Sequence, residues 1–375
     1  MDLTRARNFF PHTSKGIIYF NHAATGPISS IVKDKINEYI TERSFEKIDN
    51  FPKVSKFADS TKADLGKLIN CHPERIAFTD NTTNGINILA SGIKWNKSDR
   101  ILLNDIEFPA NVYPFLNLQK QGVIIDFVKS HDGIVSAEDI IQNIKPATRL
   151  VSISFVQFLT GYKADLEKIG KYCNERGIIF CVDAIQGLGA LRLDVKKCNI
   201  DFLSCGTQKW LLGLQGLAFI YLTEELQNKL DPKYAGWLSV EDAWNILHYE
   251  LKPRSSAERY QYGTISHIGV FALRGALDFF HQFGWEEIEK QTIENSSYLS
   301  SQLSNIGIKT LLNDCPRENT SGIVTFKHRE AQKVFEYLAS NQVNCAVREG
   351  MIRLSPHFYN TFEECDQVAD MLKKY

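Results

Sequence analysis

The sequence predicts an α/β protein with two units. A large unit over residues 20–265 carries a mainly parallel sheet sandwiched by helices, and a smaller α+β unit over residues 266–375 is joined by residues 1–19. Three observations carry this reading. Between residues 75 and 222 short β-branched runs alternate with amphipathic stretches, as parallel strands joined by crossover helices do. One such run ends on Asp183, and a later polar turn delivers Lys209 to an apolar wall, which suits a ligand held at the carboxyl ends of parallel strands. At 375 residues and 43% hydrophobic content, the chain can fill one large and one small core.

Taken in order, RIAFT opens the sheet and runs through a polar turn into a helix that starts near Thr82–Gly85. The free N–H groups of a helix start, with the hydroxyls of Thr82 and Thr83, suit a phosphate, although plain capping by Asn81 or Thr82 explains the same residues. RILLN follows and leads into EFPANVYPF, where Phe108 before Pro109 is either a core aromatic or a stacking face for a flat ligand. VIIDFV and RLVSISF come next, the latter feeding a strand-end loop with Gln157 and Thr160. ADLEKIGKYCNERG sets Leu166, Ile169, Tyr172 and Cys173 at helical spacing and stops at Gly177. IIFCVDA ends on Asp183 with Gln186 three residues on, and DFLSC and LAFIYL flank Lys209. Pro232, Gly236, Pro253 and Gly263 make 223–265 a run of loops and short helices that borders the site. An apolar-rich helix from His267 to Phe283 leads into strands GIVTFK and MIRLS and helices AQKVFEYLASN and FEECDQVADMLKK.

The chemistry centres on Lys209. Desolvation against Trp210, Leu211 and Leu212 disfavours its ammonium, and a partly neutral amine can form a Schiff base with an aldehyde such as pyridoxal phosphate (PLP). Asp183 would then pair with the pyridine nitrogen and hold it protonated, while Gln157 could donate to the phenolic oxygen and Gln186 to another ring substituent. Other classes are disfavoured. A net charge of −1 with mixed signs gives no case for nucleic acid or an anionic membrane. The N-terminal residues lack an apolar signal core and no apolar run is long enough to span a bilayer, so the cytoplasm is the expected compartment. Eight scattered cysteines without a CxxC pair predict reduced thiols, with neither a disulfide framework nor a metal site.

TTNGIN, EFPANVYP, VDAIQ and SCGTQKW, in this order and with these gaps, resemble the class V PLP-dependent aminotransferases, the group containing cysteine desulfurases, kynureninases and isopenicillin N epimerase-like proteins. The resemblance runs from YFNHAATGP, Tyr19 to Pro27, through RLSPHFYNT. It implies the PLP-transferase type I fold, with Lys209 as the Schiff-base lysine, Asp183 as the pyridinium partner and Thr82 and Thr83 as the phosphate loop. Phe108 falls where kynureninases place a stacking phenylalanine, and Gln208 where desulfurases often carry a histidine. RYQYGTISH resembles the segment whose threonine, here Thr264, reaches the phosphate of the neighbouring subunit, which implies a homodimer with shared active sites. Arg353 matches the arginine that clamps the substrate carboxylate, and Asn21 and His22 match the segment that edges the substrate pocket.

Two departures narrow the function. Desulfurases carry a nucleophilic cysteine on a loop between an AVR-like segment and the carboxylate-binding arginine, but here only four residues separate Arg348 from Arg353. Kynureninases usually have an aspartate where Asn111 stands and a tyrosine where Gln208 stands. The expectation is therefore an enzyme acting at the α-carbon of a small amino acid by transamination, racemisation, epimerisation or elimination. Cysteine desulfuration is the alternative, as is a non-catalytic binding protein on the same scaffold.

Overall fold

The structure is a computed structural model that describes residues 2–375. Its largest element is a sheet of seven strands: β2 (Ile76–Thr79), β3 (Arg100–Asn104), β4 (Ile124–Val128), β5 (Thr148–Ser154), β6 (Ile179–Asp183), β7 (Phe202–Gly206) and β8 (Ala218–Leu222), with β1 (Ile18–Tyr19) lying outside it. In space the order is β2-β8-β7-β6-β5-β3-β4, and every pairing is parallel except those of β8. The exception has a simple cause. Residues 207–217 join β7 to β8 without a helix, too little chain for a parallel crossover, so β8 returns antiparallel. That short return carries Lys209.

Strands β6, β7 and β8 are buried almost throughout because helices cover both faces of the sheet, with one apolar cluster on each. The chain goes from β3 outward to β4, then back across β3 to β5, so the topological switch falls between β3 and β5. Ligands of open α/β sheets bind outside the carboxyl ends of the strands at such a switch.

The C-terminal part has its own sheet, β11-β12-β9, from β9 (Val324–Lys327), β11 (Ala346–Arg348) and β12 (Met351–Leu354), while β10 (Val343–Asn344) pairs in parallel with β1. Ile18 and Phe20 share a core with Leu299, Val334, Ile352 and Val368, which ties the N-terminal segment to this sheet. Helix His267–Phe283, expected in the C-terminal unit, packs instead against helices Ser30–Phe45 and Phe51–Ile69. Its apolar residues run nearly all the way round, from Val270 to Phe280, so it needs cover on more sides than the small sheet offers.

Between β11 and β12 stands a two-residue turn, Glu349–Gly350, with φ of 48° and 71°. Both values are positive, as in a type I′ hairpin, and the glycine carries the second at no steric cost. Nothing longer fits between Arg348 and Met351, which pair directly. No helix among the described residues is long and apolar enough to cross a membrane.

Candidate active site

The ends of β3, β5, β6 and β7 bring together Asn104, Ser154, Asp183 and Gly206, with Asp183 in register with Ser154 on one side and Ser204 on the other. Asp183 is buried, and its carboxylate accepts one hydrogen bond, from the Ile185 N–H at 3.0 Å. Burial pushes its pKa up, to about 7, against that bond; the Glu107 carboxylate adds to the rise and Lys209 opposes it. Burial also pulls Lys209 down, to about 8, against the attraction of Asp183, while the guanidiniums of Arg353 and Arg348 reinforce the fall. A carboxylate short of partners thus faces an amine that is partly neutral near neutral pH.

Phe108 caps the turn after β3 and is 44% exposed, so it is not a core aromatic. Its ring centroid lies 5.7 Å from Lys209 Nζ and 5.2 Å, edge-on, from that of Phe158. Thr82 begins helix Thr82–Gly92, where the first N–H groups have no intrahelical acceptor, and its Oγ1 accepts from the Gly206 N–H at 3.0 Å. Asn81 Oδ1 caps the Asn84 N–H, which leaves those of Thr82 and Thr83 for an anion. A Cβ added to Gly206 would lie 2.6 Å from Gln208 Oε1 and 3.3 Å from Thr82 Oγ1, so both side chains meet beside this glycine. Gly26 passes so close behind Lys209 that a Cβ there would come within 2.3 Å of the lysine carbonyl.

On β12, Arg353 is buried, and its Nη1 donates to the Phe158 carbonyl at 2.6 Å while Nε has no partner. Burial lowers its pKa to about 10, which leaves it charged at neutral pH. Asn21 Oδ1 and Gln157 Oε1 are likewise buried and unpartnered. These orphaned atoms and the exposed Phe108 ring mark a cleft whose polar groups lack ligands.

The family described as aminotransferase class-V matches residues 18–368. The chain belongs to this family. An uncharacterized aminotransferase of Bacillus subtilis, YcbU, is 26% identical, with 93% of this chain and 90% of that protein covered. A probable cysteine desulfurase of Ureaplasma parvum is 29% identical over 98% of this chain and 96% of its own. Among solved structures, a C-DES mutant with glycine covalently linked to its PLP cofactor superimposes with a TM-score of 0.89 at 22% identity, covering 98% of this chain and 99% of that one. The fold is the PLP-transferase type I fold. The protein is a PLP-dependent class V enzyme, and the cleft fits the cofactor: an amine, a buried carboxylate, an open aromatic face and a free helix N-terminus are all present.

Some expected site residues of this aminotransferase-family chain have other work. His22 is fully buried; its Nδ1–H donates to the Ser355 carbonyl and its Nε2 accepts from the Tyr359 hydroxyl, each at 2.9 Å. Both nitrogens are occupied, and burial and the neighbouring His357 hold its pKa well below the usual value, so it braces the fold rather than edging the pocket. Gln186 likewise gives one Nε2 hydrogen to the Ala23 carbonyl at 3.0 Å and accepts at Oε1 from Trp210 Nε1 at 2.9 Å, which leaves its second Nε2 hydrogen for a ring substituent. Gln157, expected to donate to the cofactor, gives Nε2 to Glu107 at 2.9 Å and keeps only an acceptor free. Thr264, expected to reach the phosphate of a neighbouring subunit, is exposed and lines a groove of about 610 Å³ with Asp80, Asn84 and Gly216. Sequence reasoning passed over Glu107, although a carboxylate directly before the stacking phenylalanine of EFPANVYP was the available signal.

Proposed function

We propose that this protein acts at the α-carbon of a small amino acid, with Lys209 both holding PLP and carrying the α-proton, in a transamination or epimerisation type of reaction. When bound, PLP supplies an electron-accepting ring conjugated to the substrate amine. Asp183 would hold a proton on the ring nitrogen, since a cationic partner relieves the burial of its charge. Thr82 and Thr83 would take the phosphate, Phe108 one ring face, and Arg353 the substrate carboxylate through Nε and its remaining N–H groups. Lys209, once released, moves a proton to or from Cα, a task that suits an amine near pH 8.

The observation that carries the choice of chemistry is the Glu349–Gly350 turn. The family resemblance implies that a desulfurase presents its cysteine on a loop at this point of the chain, and a two-residue turn has no room for one. Cys345, the thiol beside this hairpin, packs in the C-terminal core with its pKa pushed up to about 12 by burial, and Cys205 on β7 is fully buried. Neither can act as an accessible thiolate. Thr264 and the exposed Trp237, Trp244, Leu247 and Tyr249 support a homodimer in which one subunit completes the other's phosphate site. Eight unpaired cysteines support a cytoplasmic location.

The test is a screen of amino acids against the purified protein loaded with PLP, followed by its absorbance near ~410–430 nm, the region of a Schiff-base cofactor. An amino acid that bleaches or shifts the band and exchanges its α-proton with solvent supports the reading. Sulfide release from cysteine that disappears in Cys345→Ser would replace it with desulfuration.

A further inference from the structure

Glu107 stands at the switch between β3 and β5 and has no part in the chemistry above. It is buried, yet both oxygens are fully engaged. Oε1 accepts from Asn104 Nδ2 at 2.7 Å, the Ser154 N–H at 2.8 Å and Gln157 Nε2 at 2.9 Å; Oε2 accepts from Ser154 Oγ at 2.5 Å and Asn111 Nδ2 at 3.1 Å. All five partners donate, a pattern a carboxylate can accept and a carboxamide cannot. Asn111 in turn accepts from Ser152 Oγ at 2.6 Å, so the network reaches further down β5.

The partners join different pieces of chain. Asn104 ends β3, Asn111 follows Phe108 by three residues, Ser154 ends β5, and Gln157 belongs to the loop after β5. Without Glu107 the two strand-end loops would be left with the Nδ2 groups of Asn104 and Asn111 and the Ser154 hydroxyl unpaired, and with only the longer Gln157 Nε2 to Asn104 Oδ1 bond, at 3.4 Å, and the Ser152–Asn111 bond between them. Ser154 is also the register partner of Asp183, which brings a second negative charge next to the one expected to meet the ring nitrogen.

We propose that Glu107 is a positioning residue for the cofactor: a single buried carboxylate that locks the Phe108 loop to the Gln157 loop across the switch point and holds a fixed negative charge beside Asp183. It acts through Phe108 and Asp183 without touching the reacting atoms. The loops set where the aromatic face lies, and the charge favours protonated forms of a ring held in the cleft.

This rests on PLP being the group bound in the cleft, so wild-type protein is first shown to take up PLP, by quenching of tryptophan fluorescence in the apoprotein; a wild type that binds none ends the cofactor reading itself. Glu107→Gln is then measured for PLP affinity and for the pH at which the bound cofactor's absorbance band is half converted. Loss of the anchor weakens PLP binding by about 10-fold or more, and loss of the charge moves the half-point about one unit toward lower pH. Ser154→Ala removes one of the two donors to Oε2 but keeps the backbone N–H bond to Oε1 and the charge, so it weakens binding by roughly threefold and leaves the half-point in place. A Glu107→Gln protein with wild-type affinity and an unmoved half-point overturns the proposal. If that variant does not fold, Ser154→Ala decides: wild-type affinity in it overturns the anchoring role, and weaker binding with an unmoved half-point sustains it.

Discussion

Two polar clusters meet at Lys209 and Trp210, and they differ in one property. On the cleft side Asn21, Gln157 and Arg353 each keep a buried atom with no partner, and Asp183 has one hydrogen bond. Behind Trp210, His22, His357, Gln186 and Asn295 are as deeply buried, but their polar atoms are taken up: His357 Nε2 meets the Trp210 carbonyl at 3.1 Å, and Asn295 Nδ2 donates to the carbonyls of His357 and Asn360 at 2.8 and 2.9 Å. Residue type does not separate these clusters. Satisfaction does: in the bracing cluster the partners lie within the chain, and in the cleft atoms are left over for a ligand, whereas the unpartnered Thr61, Arg75, Gln227 and Tyr260 atoms lie elsewhere in the fold.

The largest effect belongs to the cleft. Lys209→Ala should abolish covalent PLP attachment and lower turnover by at least ~10³-fold, since both the Schiff base and the proton carrier go, while the apoprotein melts within a few degrees of wild type. Spectra and a thermal melt on the same sample check both halves. Arg353→Gln comes next. Losing a buried guanidinium that binds a carboxylate should reduce kcat/KM by about 10²-fold, mostly through KM, with cofactor affinity little changed. Arg353→Lys should recover only part, because an ammonium cannot present paired donors.

The bracing cluster should show the reverse. His22→Ala removes two buried hydrogen bonds and opens a cavity beside Trp210, so it should cost about 2–4 kcal/mol of stability in a denaturant titration while leaving KM for the amino acid near wild type. A loss of substrate affinity without a loss of stability would move His22 back to the pocket and erase the contrast.

Sequence legibility followed the same divide. All seven strands of the large sheet were readable because their apolar runs are bounded by turns, and all but the edge strand β4 are largely buried. Helices Ser30–Phe45 and Trp285–Asn305 were not singled out: the first buries only Val32 and Glu42, and the second interrupts its buried Ile288, Leu299 and Leu303 with Thr292, Asn295 and Ser296, so neither shows a purely apolar stripe. Lys209, Asp183 and Phe108 were legible from neighbours and family resemblance, and the structure gathers them into one cleft. Asn21 and His22 show where that approach stops. Adjacent in sequence, they have opposite fates, the first with an orphaned oxygen and the second fully bonded, because Asn21 ends the extended segment at its bridge to Ser355 and His22 already stands in the turn that follows.

The smallest expected effect bears on why an unsatisfied group is kept at all. The Asp183 carboxyl has a folded-state pKa of about 7 against an ordinary 3.8, so the native apoprotein holds its proton more tightly than the unfolded chain does. Stability is therefore lost as pH rises from the ordinary carboxylate range through about 7 and levels off above it. Asp183→Asn removes that loss, so the variant apoprotein should be more stable than wild type by about 1–3 kcal/mol at pH 8, with the gap closing toward pH 4. PLP should invert the order, because only the wild type gains a charged partner for the ring nitrogen. Melts at pH 5 and pH 8, with and without PLP, give four comparisons. An apo variant no more stable than wild type at pH 8 would mean that Asp183 carries no strain, and the divide between waiting and bracing groups would then rest on hydrogen-bond counts alone.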